Sequence, residues 1–296
     1  MRRLDPDRDL RALVLFMREP VFALGPGRTE DFHFIGRRNG QPVRVSVSSD
    51  DAAAGSHATV DDADALIPLI SELTALRNEG RKLPRTLVLR PAVALHTLGR
   101  PGGGRQRRLL DDAFVRLAAT TIILTDAAAG TQAFRPIEAC ERLPGGARRL
   151  TLPPELIAEV EAGRVLKLDP AALRLKGLER RLYSLARAHT GRNGTWQVDL
   201  GLLARLCPWR GTWRKFRSRL VGLAATQVLP GFLFAVVDRD GRPTLSVTRT
   251  LTWPPARADP AAAEATDLNL FVLDEADAPG PAAEPVVIAF PDEIDL

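Results

Sequence analysis

Cysteine, tyrosine and methionine are nearly missing from this chain of 296 residues, which holds two, one and two of them. Cys140 and Cys207 lie far apart and match no metal or redox spacing, so neither a disulfide scaffold nor a zinc module is supported, and both are expected to be buried free thiols. The four histidines, His33, His57, His96 and His189, are isolated, with no H-x-H or H-E-x-x-H pair, so metal-assisted chemistry and cofactor binding find no support. The sole tyrosine, Tyr183, sits mid-helix without a histidine pair beside it. A rolling-circle nickase needs both, so no enzymatic activity is expected. Aromatic residues make up 5% of the chain, too few for a single-strand stacking platform, and Trp196, Trp209 and Trp213 read as core.

Long apolar runs are also lacking. The most apolar stretch, 220–237, is interrupted by Gln227 and Pro230, and no apolar segment follows Met1-Arg2-Arg3, so neither a membrane partner nor a secretory signal is expected. These features point to a cytoplasmic protein.

What the chain does have is arginine. Of 41 basic residues only Lys82, Lys167, Lys176 and Lys215 are lysines. Residues 174–219 carry twelve Arg or Lys against Glu179 and Asp199, whereas residues 256–296 carry Arg257 against ten acids. A local basic patch, more than the net charge of +5, governs contact with a polyanion.

Residues 1–57 give no element beyond a strand at 42–48. Leu66, Ile70, Leu73 and Leu76 recur at helical spacing up to Gly80, followed by a strand at 86–90, a short helix from Pro91, a glycine-rich turn at 99–104 and a helix at 105–118. A hairpin is predicted over 120–137 and a further strand near 149–152. The order then recurs: a long helix over 170–189 ending at Gly191, a strand at 196–198, a helix at 200–206 capped by Asp199, a helix at 213–225 capped by Thr212, and a hairpin at 232–248 around Asp240-Gly241. The expectation is an α+β, helix-rich fold: two tandem winged helix-turn-helix domains with an acidic C-terminal tail. The boundaries are a poorly defined segment 1–57, a first domain 58–165, a second, DNA-binding domain 166–250 and a Pro/Ala-rich acidic tail 251–296.

At 100° per residue, helix 213–225 sets Trp213, Phe216, Leu220, Leu223 and Ala224 on one side. Arg214, Lys215, Ser218 and Arg219 fall on the other, with Arg217 at the edge. In a helix-turn-helix such a helix enters the major groove, where Arg and Lys bond guanine N7 and O6. Arg214, Lys215, Ser218 and Arg217 are therefore the candidate base readers, against the alternative of a solvated basic face. Arg180, Arg181, Arg187, Arg192, Arg210 and Arg219 are the candidate phosphate contacts, and loss of Arg180 is expected to weaken binding to every duplex alike. In the first domain Arg100, Arg105, Arg107 and Arg108 surround the glycine turn, whose amides can approach phosphate. The G-x-x-x-x-G spacing of that turn is no P-loop, because Arg105-Gln106 stands where Lys-Ser/Thr is needed.

The segment Leu178-Glu179-Arg180-Arg181-Leu182-Tyr183-Ser184-Leu185, with Gly191-Arg192 and Trp196-Gln197-Val198 after it, resembles the signature helix and strand of the plasmid replication initiator protein A family of proteobacteria. Trp213-Arg214-Lys215-Phe216-Arg217 before Leu229-Pro230, and Leu98 to Gly104 before 109–121, extend the resemblance over about residues 60–237. The resemblance implies a paired winged-helix initiator that binds origin duplex DNA sequence-specifically, promotes origin opening and recruits host replication proteins. A transcriptional regulator or autorepressor without initiation activity is the alternative, and homodimerisation is left open.

Overall fold

The computed structural model describes residues 9–38, 41–49, 56–127, 130–191, 194–239 and 241–250. The expected acidic tail and Arg192 lie outside the described residues.

The chain starts with β1 (Arg11–Leu13), α1 (Val14–Arg18) and the hairpin of β2 (Phe32–Arg38) and β3 (Gln41–Ser49). The described parts of the segment expected to be poorly defined, 9–38 and 41–49, thus contribute elements to the fold. In β2 the inward alternation of Phe32 and Phe34 is masked in the sequence by the exposed Ile35.

A 3-10 turn, Asp62–Leu66, leads into α2 (Ile67–Asn78), followed by β4 (Thr86–Leu89), α3 (Pro91–Thr97) and α4 (Gly104–Ala119). Next come β5 (Thr120–Asp126), β6 (Gly130–Phe134), β7 (Ala139–Arg142), β8 (Arg148–Thr151), α5 (Pro154–Glu161) and β9 (Val165–Lys167). The last six elements are α6 (Gly177–His189), β10 (Thr195–Asp199), α7 (Leu200–Leu206), α8 (Trp213–Thr226), β11 (Phe232–Arg239) and β12 (Arg242–Arg249).

Two sheets repeat one plan. The strand after the first helix pairs antiparallel with the last strand of a hairpin, in the order β4-β8-β7 in one and β10-β12-β11 in the other. The hairpin of the first plan is therefore β7–β8 and not the expected 120–137. β5–β6 instead joins the N-terminal hairpin in the four-stranded order β2-β3-β5-β6. The register explains this: Val45 faces Leu124 and Val47 faces Ile122, matching two alternating apolar faces.

The expected long helix over 170–189 is broken. Asp169 caps a 3-10 turn, Pro170–Arg174, Leu175 and Lys176 are extended, and α6 starts at Gly177. Gly177 has φ +50°, and a Cβ there would lie 3.1 Å from the Leu24 carbonyl oxygen, so only glycine fits this junction without strain.

The buried apolar residues form one continuous cluster from Leu10 to Val247, and β9 pairs with β1. Among the described residues no helix is long and apolar enough to cross a membrane.

Candidate nucleic-acid interface

The α7–α8 unit is shaped by its caps. The Asp199 carboxylate accepts from the amides of Gly201 (2.7 Å) and Leu202 (3.1 Å), and the Thr212 hydroxyl accepts from the Lys215 amide at 3.4 Å. At the other end of α8, Gln227 is left-handed (φ 47°), and its side-chain amide donates to the Phe234 carbonyl at 2.8 Å while accepting from the Phe234 amide at 3.0 Å. These bonds pin the helix to β11.

Phe216, Leu220 and Leu223 are buried, with Trp209 and Trp213 tilted against Phe216 at ring distances of 5.4 and 6.1 Å. Burial of each apolar side chain stabilises the helix on the core by about 1.5–3 kcal/mol. The outer face carries Arg214, Lys215, Arg217 and Ser218, all exposed. Among the described residues Arg214, Lys215 and Arg217 have no carboxylate within ion-pair distance. Arg219 is exposed but ion-paired to Glu179 at 2.9 Å, and Arg210 is paired to Glu30 at 3.1 Å.

Three of the expected phosphate contacts point inward. The Arg180 guanidinium is buried against Asp64 Oδ1 at 2.9 and 3.1 Å. Arg181 donates from Nε to the Leu206 carbonyl (2.8 Å) and from its two terminal nitrogens to the carbonyls of Met17 (2.9 Å) and Arg18 (2.8 Å). It thereby closes the ends of α1 and α7, and burial pulls its pKa down to about 10. Arg187, lowered by burial, donates to the Lys167 carbonyl at 3.1 Å. The assignment of these three to phosphate is corrected: each holds acceptors inside the protein, and exposing the side chains would leave those acceptors unsatisfied. Tyr183 is likewise fully buried, its hydroxyl oxygen accepting from the Asp169 amide at 2.9 Å. Burial pushes its phenol up.

On α4, Arg105, Arg107 and Arg108 are exposed and have no acidic partner among the described residues, whereas Arg100 is mostly covered and paired with Asp64 Oδ2 at 2.7 Å. Arg100 is therefore also corrected, from a phosphate contact to a structural ion pair. Gly102, Gly103 and Gly104 have open space around them. Cys140 is exposed, against the expectation of burial, because all four residues of β7 are exposed, while Cys207 is buried and its thiol is pushed up to about 12. Among the described residues no group of His, Cys, Asp and Glu has the makings of a metal site.

Sequence reasoning overlooked the acidic turn Asp61-Asp62-Ala63-Asp64. Its signal was three carboxylates within four residues, directly before an apolar helix in an arginine-rich chain. Asp62 accepts from Arg116 of α4 at 2.6 and 2.9 Å, and Arg116 is raised by that hydrogen bond. It also overlooked Arg148, which donates to Asp111 at 2.6 Å and so seats β8 on α4.

A family model described as Replication initiator protein A matches residues 12–234. The chain belongs to the replication initiator protein A family. The match takes in the N-terminal hairpin, the first repeat, and the second repeat as far as the start of β11. The fold of this initiator-family chain is similar to a crystal structure of domains 2 and 3 of RctB in selenomethionine form, with 16% identity, TM-score 0.55, and coverage of 83% of this chain and 99% of that one. A second crystal structure of RctB domains 2–3 gives 16% identity, TM-score 0.53, and coverage of 80% and 97%. No curated protein matches the chain.

Proposed function

We propose that this chain initiates plasmid or chromid replication by binding origin duplex DNA sequence-specifically through two winged-helix units, with α8 the principal reading helix. One observation carries the reading: α8 buries Phe216, Leu220 and Leu223 and exposes Arg214, Lys215, Arg217 and Ser218, and among the described residues no carboxylate lies within ion-pair distance of Arg214, Lys215 or Arg217. That helix stands third in a helix-strand-helix-helix-hairpin order, the arrangement that offers a helix to the major groove.

Arg214, Lys215, Arg217 and Ser218 are the base readers in this account, Arg210 exchanges its surface carboxylate for phosphate, Arg219 reaches phosphate with the guanidinium nitrogens that its bond to Glu179 leaves over, and α4 makes a second contact through Arg105, Arg107 and Arg108. Exchange is feasible because an exposed ion pair contributes no more than about 1 kcal/mol. The chain acts as a binding protein, not as an enzyme. It bends or opens the duplex by binding energy and recruits host replication proteins in the cytoplasm.

The test is replication itself. The gene with its flanking DNA is placed on a plasmid lacking any other origin, and transformants are scored with the wild type and with R214A/K215A, both confirmed to be expressed. The wild type is expected to sustain the plasmid and the double variant to lose it. Failure of the expressed wild type, with a response still seen in a reporter fused to the same flanking DNA, would instead identify a regulator.

A further inference from the structure

All three carboxylates of the turn Asp61-Asp62-Ala63-Asp64 accept from elements beyond it. Asp61 Oδ1 accepts from the Gly177 amide at the start of α6 at 3.2 Å. Asp62 accepts from Nε and one terminal nitrogen of Arg116 in the last turns of α4. Asp64, fully buried, accepts from Arg100 in the turn before α4 on one oxygen and from Arg180 of α6 on the other. One residue before Arg180, Glu179 reaches across to Arg219 of α8 at 2.9 Å. A continuous set of directional bonds therefore runs from both ends of α4, through the acidic turn and the first turn of α6, to α8.

The apolar core also joins these helices, but apolar contact is non-directional and tolerates sliding. Carboxylate–guanidinium pairs fix orientation, because the planar fork bonds well in few geometries. Buried pairs of this kind add little net stability over an apolar replacement, so their distinctive contribution is to specify one arrangement.

We propose that the acidic turn is a positioning device for recognition: it holds α4 and α8 at one separation and orientation and thereby sets the half-site spacing the protein accepts. This rests on the DNA-binding reading above. Asp64 is the central positioning residue, since it bonds both the turn before α4 and the α6 helix.

Two measurements on the full chain test it. In a C140S background, nitroxides at V115C on α4 and V221C on α8, both exposed positions, report the helix-to-helix distance by pulsed electron resonance. The wild type is expected to give one narrow distance. D64N, and the milder R100M, which leaves Asp64 paired to Arg180, are expected to broaden or split it. In parallel, a duplex is selected from a random-sequence pool with the wild type. Its centre is then lengthened by a half and a full helical turn, about 5 and 10 base pairs. The wild type is expected to lose about tenfold or more in affinity on lengthening, the range of a defective site, while both variants discriminate clearly less. Narrow, wild-type-like distances in both variants would overturn the positioning role, as would a spacing profile identical to the wild type. If the wild type selects no preferred duplex, the DNA reading fails and the recognition role with it. The distance measurement then shows separately whether the turn orients the helices.

Discussion

Asp64 Oδ1 accepts two hydrogen bonds from the Arg180 guanidinium, at 2.9 and 3.1 Å, across 116 residues of sequence. Both groups are buried, and Asp64 is fully so. The Glu179-Arg180-Arg181-Leu182-Tyr183 segment that most resembles the initiator family thus works mainly inside the protein. Its residues bond α8, the acidic turn, the ends of α1 and α7, and the approach to α6.

Truncating Arg180 leaves a buried carboxylate with Arg100 as its remaining partner. R180A is expected to lower unfolding stability by about 3–5 kcal/mol, the cost of breaking a buried pair. Urea denaturation checks this. At temperatures where the variant stays folded, the salt slope of its DNA binding should match the wild type. A slope lowered by about one would return Arg180 to the phosphate contacts.

Arg214 and Lys215 are predicted to behave in the opposite way. Each alanine variant should retain wild-type stability, because both side chains are exposed and unpaired among the described residues. Each should weaken binding to a preferred duplex by about 1–3 kcal/mol and relax preference at one base position. Equal losses on preferred and scrambled duplexes would remove them as readers.

Acid should destabilise the fold through His189. Its ring stacks on Trp196 at 4.8 Å, and burial, then the charges of Arg18 and Arg181, push its pKa down to about 3. The folded state therefore holds this ring neutral, while the unfolded chain binds a proton near the ordinary value of 6.5. The stabilising effect is complete above pH 6.5 and is lost as pH falls toward 3, at about 1.4 kcal/mol per pH unit. Denaturation profiles between pH 7.5 and 5 should slope less steeply for H189Q than for the wild type. Parallel profiles would contradict the assignment. His57, also lowered by burial, adds a slope of the same sign to both proteins.

Tyr183 is expected to form no covalent adduct with DNA. Its hydroxyl is enclosed and accepts from the Asp169 amide, so Y183F should cost about 1–3 kcal/mol of stability and leave DNA affinity unchanged. Adduct formation seen on denaturing gels, and lost in Y183F, would establish a nicking activity instead.

The second half of the molecule was the more legible from sequence. Asp199 and Thr212 are capping residues whose partners lie two or three positions away, and the two faces of α8 separate at helical period, so local pattern suffices. The buried arginines had no such signal. Arg180, Arg181 and Arg187 form a polar stripe on α6 that reads as solvated, yet their acceptors are Asp64, carbonyls of α1 and α7, and the Lys167 carbonyl. Only the tertiary arrangement brings those acceptors to the stripe. The hairpin at 120–134 was visible as a hairpin, but its partner β3 lies more than 70 residues upstream, and turn signals do not say which sheet a hairpin joins.

The central claim, sequence-specific duplex binding through α8, is tested most directly by fluorescence-anisotropy titration of the full chain. The probes are duplexes tiling the DNA beside its own gene and a scrambled control, at two salt concentrations. One tile is predicted to bind on the order of a thousandfold tighter than the control at near-physiological salt, and R214A/K215A should abolish that preference. Equal, weak and steeply salt-dependent binding to every tile would contradict the account, leaving the basic face of α8 a general polyanion surface.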